Sequence, residues 1–89
     1  MSASDERIRA VAERYVELIG NGTADEITAL YADGATVEDP VGSDPYVGKE
    51  AIHGFYSAMD GMTRSTRMLA VRIAGGRAAF NFEVRTPAG

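Results

Sequence analysis

At 89 residues, with 45% hydrophobic and 25% charged side chains, the chain suits one small globular domain and is too apolar to be disordered. The absence of cysteine excludes a disulfide framework, a thiolate metal site and a cysteine nucleophile, and fits a reducing compartment. The net charge of -4, with Arg64, Arg67, Arg72, Arg77 and Arg85 spread along the last third of the chain, argues against a nucleic-acid partner.

The first residues are polar (Ser2, Ser4, Asp5, Glu6, Arg7), and no apolar run approaches the roughly 18 to 20 residues a membrane span needs. A cytoplasmic protein without a membrane partner is the expectation. Residues 5–19 have the spacing of an amphipathic helix, with Ile8, Val11, Ala12, Tyr15, Leu18 and Ile19 on one stripe and Ser4 as a candidate cap. Gly20-Asn21-Gly22 stops it. Thr23-Ala24-Asp25-Glu26 then has the reciprocal capping-box pattern, opening a short helix whose inward side is Ile27, Leu30 and Tyr31.

After a turn at Asp33-Gly34, Thr36 and Val37 favour an extended backbone, and Pro40 keeps Asp39 out of helical dihedrals. Asp39 therefore lies at the end of a short strand or on its exit loop. Residues 41–48, with two glycines and a proline, read as a loop that can rim a pocket. Residues 49–59 form a third helix with Ile52, Phe55, Tyr56 and Met59 inward, ended by Asp60-Gly61. Beyond it, Leu69, Val71 and Ile73 alternate onto one face of a strand. Gly75-Gly76 reverses the chain, and Phe80, Phe82 and Val84 share a face of the next strand. Helices followed by a hairpin indicate an α+β fold with antiparallel pairing. Two strands and a short leading one offer little sheet to cover three helices, so a missing part or a second chain is expected to complete the domain.

Several residues invite chemical roles, each beside a plainer one. Asp39 is either a solvent-facing turn acid or, beside an apolar cavity, a general base; if the strand runs through both acids, Glu38 points the other way. Tyr15, Tyr31 and Tyr56 are core rings or, if their hydroxyls converge, a network in which one phenol becomes a neutral donor to an oxyanion. Met59, Leu69, Val71, Phe80, Phe82 and Val84 serve as core, pocket wall or both. His53, the single histidine, falls off its helix's apolar stripe and reads as a surface residue, and Arg64 and Arg67 as solubilising groups. No metal-ligand spacing and no glycine-rich phosphate loop between strand and helix is present.

The stretches Arg14-Tyr15-Val16, Leu30 through Ser43 (LYADGATVEDPVGS), Phe55-Tyr56 and Ala79-Phe80-Asn81-Phe82-Glu83-Val84 resemble bacterial ketosteroid isomerases. These belong to a cone-shaped α+β superfamily that includes nuclear-transport-factor-like and polyketide-cyclase-like proteins. The run through Asp39 is characteristic of the isomerase branch. The resemblance extends over nearly the whole chain but only about the first two thirds of a family domain, so residues 1–89 are expected to form a single, C-terminally incomplete domain in which three helices pack on a curved antiparallel sheet.

What the resemblance implies is specific. Asp39 would be the base and proton shuttle that converts a Δ5-3-ketosteroid to its Δ4 isomer, Tyr15 the oxyanion donor, and Tyr31 and Tyr56 its supporting network. Phe55, Met59, Leu69, Val71, Phe80, Phe82 and Val84 would contribute to the apolar core or steroid cavity. No cofactor and no metal is required, and a homodimer is implied once the fold is completed. The family's second oxyanion donor, a protonated aspartic acid on a later strand, has no counterpart before Gly89, which implies weak or no turnover for these residues alone. The alternatives are a non-catalytic small-molecule-binding or assembly module, or a related hydrolase or cyclase, because one fold carries several chemistries.

Overall fold

The computed structural model describes residues 3–87. The elements run α1 (Ala3–Asn21), α2 (Ala24–Thr28), β1 (Thr36–Val37), β2 (Tyr46–Val47), α3 (Lys49–Ser57), β3 (Ser65–Ala74) and β4 (Arg77–Arg85). They form two compact units: Gly22–Gly61 is one, and the chain on either side of it is the other.

In the unit built from the flanking segments, α1 packs on the β3–β4 hairpin. Ala12, Val16, Leu18, Ile19 and Gly20 are the buried side of α1, while Val11, expected on that stripe, is 47% exposed. The helix begins at Ala3, which places Ser4 inside the first turn instead of at the cap, and it continues through Gly20 to Asn21. Its C-terminal end is closed by side chains from the chain that returns after Gly61. Arg64 donates through Nε to the Ile19 carbonyl, through a terminal nitrogen to Leu18 O at 3.4 Å, and through the other to Met62 O at 3.0 Å. Leu18 and Ile19 are among the last-turn carbonyls that a helix leaves without internal partners, so Arg64 is a helix-capping side chain and not the solubilising group expected of it. Thr66 adds a hydroxyl bond to Val16 O at 2.6 Å.

The hairpin turns at Gly75-Gly76, where φ is 58° and 74°, the left-handed pair that a two-residue reversal between twisted strands requires. Its register contains one irregularity. Met68 stands opposite Phe82 and Ala70 opposite Asn81, so Leu69 is an extra residue without a partner of its own. Such a bulge breaks the two-residue alternation. Met68, Val71 and Ile73 consequently occupy the half-buried face together with Ala78, Phe80 and Phe82, whereas Leu69 is 51% exposed, contrary to its expected place beside Val71 and Ile73. Val84 keeps the expected register, opposite Thr66, but is also exposed.

In the unit Gly22–Gly61, the expected capping box is present: Glu26 N donates to Thr23 Oγ1 at 3.3 Å and Thr23 N donates to Glu26 Oε1 at 3.1 Å. Asp60 Oδ1 accepts from Ala24 N at 2.8 Å, satisfying another first-turn amide of α2. α2 packs on α3 around Ile27 and Ile52, both fully buried. α2 ends at Thr28, so Leu30 and Tyr31 lie in the turns after the helix. His53 is half-buried and bonds Asp25 Oδ1 at 2.7 Å, tying the two helices at their surface. β1, the short strand expected at Thr36 and Val37, forms a two-residue antiparallel ladder with β2, Thr36 opposite Val47 and Val37 opposite Tyr46, and β2 lies within the stretch 41–48 expected to be loop. Among the described residues no helix is long and apolar enough to cross a membrane.

Two helical glycines make opposite demands. A Cβ at Gly20 would lie 2.5 Å from Thr66 Oγ1 and 3.2 Å from Thr66 N, while one at Gly54 would meet nothing within 4 Å. Alanine gains about 1 kcal/mol over glycine in a helix interior, but forcing a methyl group into a packed contact costs about 1–3 kcal/mol. Gly54→Ala should therefore raise the urea midpoint and Gly20→Ala should lower it, the second also because Thr66 must abandon its bond to Val16; the same sign for both substitutions would contradict the close approach at Gly20.

Candidate active site

Asp39 lies two residues beyond β1, in the loop of residues 38–45 that the β1–β2 ladder closes. This is the exit loop expected from Pro40, and Asp39 is exposed on it. The loop is braced from within. Glu38 accepts the Gly42 amide through Oε2 at 2.9 Å. Ser43 donates to the Pro40 carbonyl twice, from its amide at 3.0 Å and its hydroxyl at 2.6 Å. Gly48 N donates to Ala35 O at 2.9 Å just outside the ladder. A carboxylate at a loop tip is ordinarily mobile, but these bonds restrict the backbone on both sides of Asp39.

The same unit pairs two of the three tyrosines expected to share a network, Tyr31 and Tyr56. The Tyr31 and Tyr56 hydroxyls are 2.8 Å apart, Tyr56 being 4% exposed on α3 and Tyr31 half-buried. Tyr56 also meets Phe55 edge to face, with centroids 4.9 Å apart, and Phe55 packs against Tyr46 at 4.7 Å. Phe55 and Met59 are half-buried. Tyr46 was not among the residues expected to matter. Its signal in the sequence was an aromatic ring placed just before the third helix, in a segment with no other aromatic residue.

Tyr15 belongs to the other unit. There it is half-buried and meets two rings edge-on, Phe80 at 5.9 Å and Phe82 at 6.0 Å, which makes a compact aromatic cluster between α1 and β4. Phe80 and Phe82 stack along the strand at 6.1 Å. Edge-to-face contacts of this kind hold a ring at a defined angle as well as burying it. A separate groove in this unit, between α1 and the start of β3, is lined by Glu13, Glu17, Asn21, Arg64, Thr66 and Met68. Its polar walls include none of the expected site residues. Among the described residues no group of three or more His, Cys, Asp or Glu side chains is placed to hold a metal ion.

Comparison with known proteins decides the family. The SnoaL-like domain matches residues 12–89. The chain belongs to the SnoaL-like family. This SnoaL-like chain is 48% identical over 82 residues to the steroid Delta-isomerase of Nocardioides simplex, an alignment that covers 92% of the chain and 67% of that protein. It also superimposes on the epoxide hydrolase/cyclase-like enzyme SalBIII, which acts in pyran ring formation in the polyether salinomycin. The TM-score is 0.81 at 21% sequence identity, over 93% of the chain and 67% of that structure. The second likeness is one of fold. It supports the cone-like α+β architecture, with mixed helices and antiparallel strands, that the SnoaL-like sequence resembles.

The tyrosine pair gives a direct test of the SnoaL-like site's geometry. In a double-mutant cycle of Tyr31→Phe and Tyr56→Phe, the two hydroxyls should show a coupling of about 1 kcal/mol in denaturant unfolding, the usual worth of one part-buried hydrogen bond. Additive effects of the two substitutions would mean that the phenols do not bond each other in solution.

Proposed function

We propose that this protein is a steroid Delta-isomerase that moves the double bond of a Δ5-3-ketosteroid into conjugation with its carbonyl. The observation that carries the proposal is the 48% identity to the Nocardioides simplex isomerase across 92% of the chain. The LYADGATVEDPVGS run that contains Asp39 supports the same assignment.

In the proposed reaction the Asp39 carboxylate takes a proton from C4 of the steroid, and the electron pair left behind delocalises onto the C3 carbonyl oxygen as a dienolate. Tyr15 donates its phenolic hydrogen to that oxygen, where negative charge develops, and so lowers the barrier to its formation. The carboxylic acid of Asp39 then delivers the proton to C6, which regenerates the carboxylate and leaves the Δ4-3-ketone. The substrate is only rearranged, so neither an oxidant nor a reductant is consumed. One base suffices for both transfers because C4 and C6 lie on the same side of a rigid ring system.

The bracing of residues 38–45 favours this role, because a base that must serve two carbons has to be held within reach of both. Tyr31 and Tyr56, whose hydroxyls bond each other, take the supporting role that the resemblance to ketosteroid isomerases implies for them. Phe80 and Phe82 would orient the Tyr15 ring through their edge contacts.

The assay is the ultraviolet absorbance of the conjugated ketone formed from an unconjugated 3-ketosteroid. Asp39→Asn should lower kcat by about 10²- to 10⁴-fold, the usual range for loss of a positioned base. Tyr15→Phe should lower it by about 10²- to 10³-fold, and by more than Tyr31→Phe, because only the former removes a donor that touches the oxyanion. An Asp39→Asn protein that turns over at the unmodified rate would remove the base assignment, and a larger loss in Tyr31→Phe than in Tyr15→Phe would remove that of the donor.

A further inference from the structure

We infer that Tyr46 is a positioning residue for Asp39, acting through its ring contact with Phe55; the inference rests on the proposed role of Asp39 as base. The loop that carries Asp39 is fastened at its ends by a ladder of only two residue pairs, Thr36 with Val47 and Val37 with Tyr46. An isolated ladder of that length is marginal in water, so it needs tertiary packing to hold. Tyr46 supplies packing from inside the ladder itself: its ring lies 4.7 Å from that of Phe55 on α3, centroid to centroid, with the planes tilted by 40°.

Phe55 is in turn 4.9 Å from Tyr56, whose hydroxyl meets that of Tyr31. The base of the Asp39 loop is thereby joined by a continuous run of rings to the buried phenol pair, all within Gly22–Gly61. Val37, directly opposite Tyr46, is only two residues from Asp39, so movement of Tyr46 away from α3 displaces the carboxylate through the shortest available path. Neither the Glu38 bond to Gly42 nor the Ser43 bonds to Pro40 can substitute for this contact, because each closes the loop on itself and none reaches α3. Among the described residues no hydrogen bond engages the Tyr46 hydroxyl. The ring is therefore the part of Tyr46 that acts, and phenylalanine should replace it where alanine cannot.

Two measurements on the purified protein test the inference. The first is steady-state isomerisation. Tyr46→Ala should lower kcat by about tenfold to a hundredfold, the range for displacing a reacting group by an ångström, with a smaller change in KM. Tyr46→Phe should restore kcat to within about twofold of the unsubstituted protein, and in an Asp39→Asn background Tyr46→Ala should have no further effect on kcat. The second is amide hydrogen exchange, which needs no turnover. In Tyr46→Ala, but not Tyr46→Phe, the Gly42 and Ser43 amides should exchange faster by up to about tenfold, the factor that corresponds to loss of one aromatic pair, while the amides of α3 keep their protection.

Unchanged exchange at Gly42 and Ser43 in Tyr46→Ala would overturn the inference whatever the protein catalyses. So would a kcat loss in Tyr46→Ala that persists in full in the Asp39→Asn background, since Tyr46 would then act elsewhere. If the loop amides respond as expected while Asp39→Asn leaves turnover intact, Tyr46 positions the loop but the base assignment fails, which separates the two proposals.

Discussion

The two-pair ladder between β1 and β2 is the constraint on which the Asp39 segment depends. It fixes where the loop leaves Val37 and where it returns at Tyr46, and everything between is held by bonds that the loop makes with itself. Two residue pairs do not make a stable sheet. What sustains them is their position directly before α3, with Gly48 N bound to Ala35 O and the Tyr46 ring on Phe55. The helix pair α2 and α3, packed around Ile27 and Ile52 and capped at its start by Thr23, Glu26 and Asp60, is the fixed body to which the loop is attached. In the proposed reaction the Asp39 carboxylate would have to reach two atoms of one substrate, and an attachment of this kind suits that task.

The other unit solves a different problem. A helix that ends against a returning strand buries carbonyls that no longer have partners in the helix, and unpaired buried carbonyls are costly. Here Arg64, in the segment entering β3, supplies donors to Leu18 and Ile19, and Thr66, two residues on, adds a bond to the Val16 carbonyl one turn back. The approach is close enough that a Cβ at position 20 would force Thr66 to shift. The same contact brings β3 alongside α1, and the hairpin then carries Phe80 and Phe82 back to the Tyr15 ring. The orientation of Tyr15 thus depends on satisfied backbone groups at the far end of its helix as well as on the aromatic rings beside it.

These dependencies were unevenly legible in the sequence. The capping box at Thr23, the reversal at Gly75-Gly76 and the displacement of Asp39 onto a loop by Pro40 are written in local residue chemistry and can be read without knowing what lies nearby. The bulge at Leu69 cannot be read that way. Leu69, Val71 and Ile73 alternate without a break, and only the pairing with Asn81 and Phe82 reveals the extra residue that turns Leu69 outward. Arg64 was hidden for a related reason: an arginine beside a strand is ordinarily solvated, and its partners are 45 and 46 residues away. β2 was missed because two residues between a proline and a glycine carry too little pattern to mark a strand, although they close the loop that matters most. The pairing of Tyr31 with Tyr56 was foreseeable from the number of inward-facing phenols, which need partners when buried.

The exposure of Asp39 determines where the power of the proposed base must originate. A carboxylate in contact with water gains reactivity when that water is displaced, and the exposed position of Asp39 leaves that displacement to whatever binds over it. A fused-ring ketone can displace it, because it brings a flat apolar surface to the loop and carries the carbonyl on which charge develops. In the proposed reaction, binding energy from the remote rings would be spent on excluding water at the reacting carbon, so that recognition of the substrate body and acceleration of proton transfer would become one event. The bonds of residues 38–45 fit that proposal, because Glu38, Pro40 and Ser43 already order the backbone around Asp39.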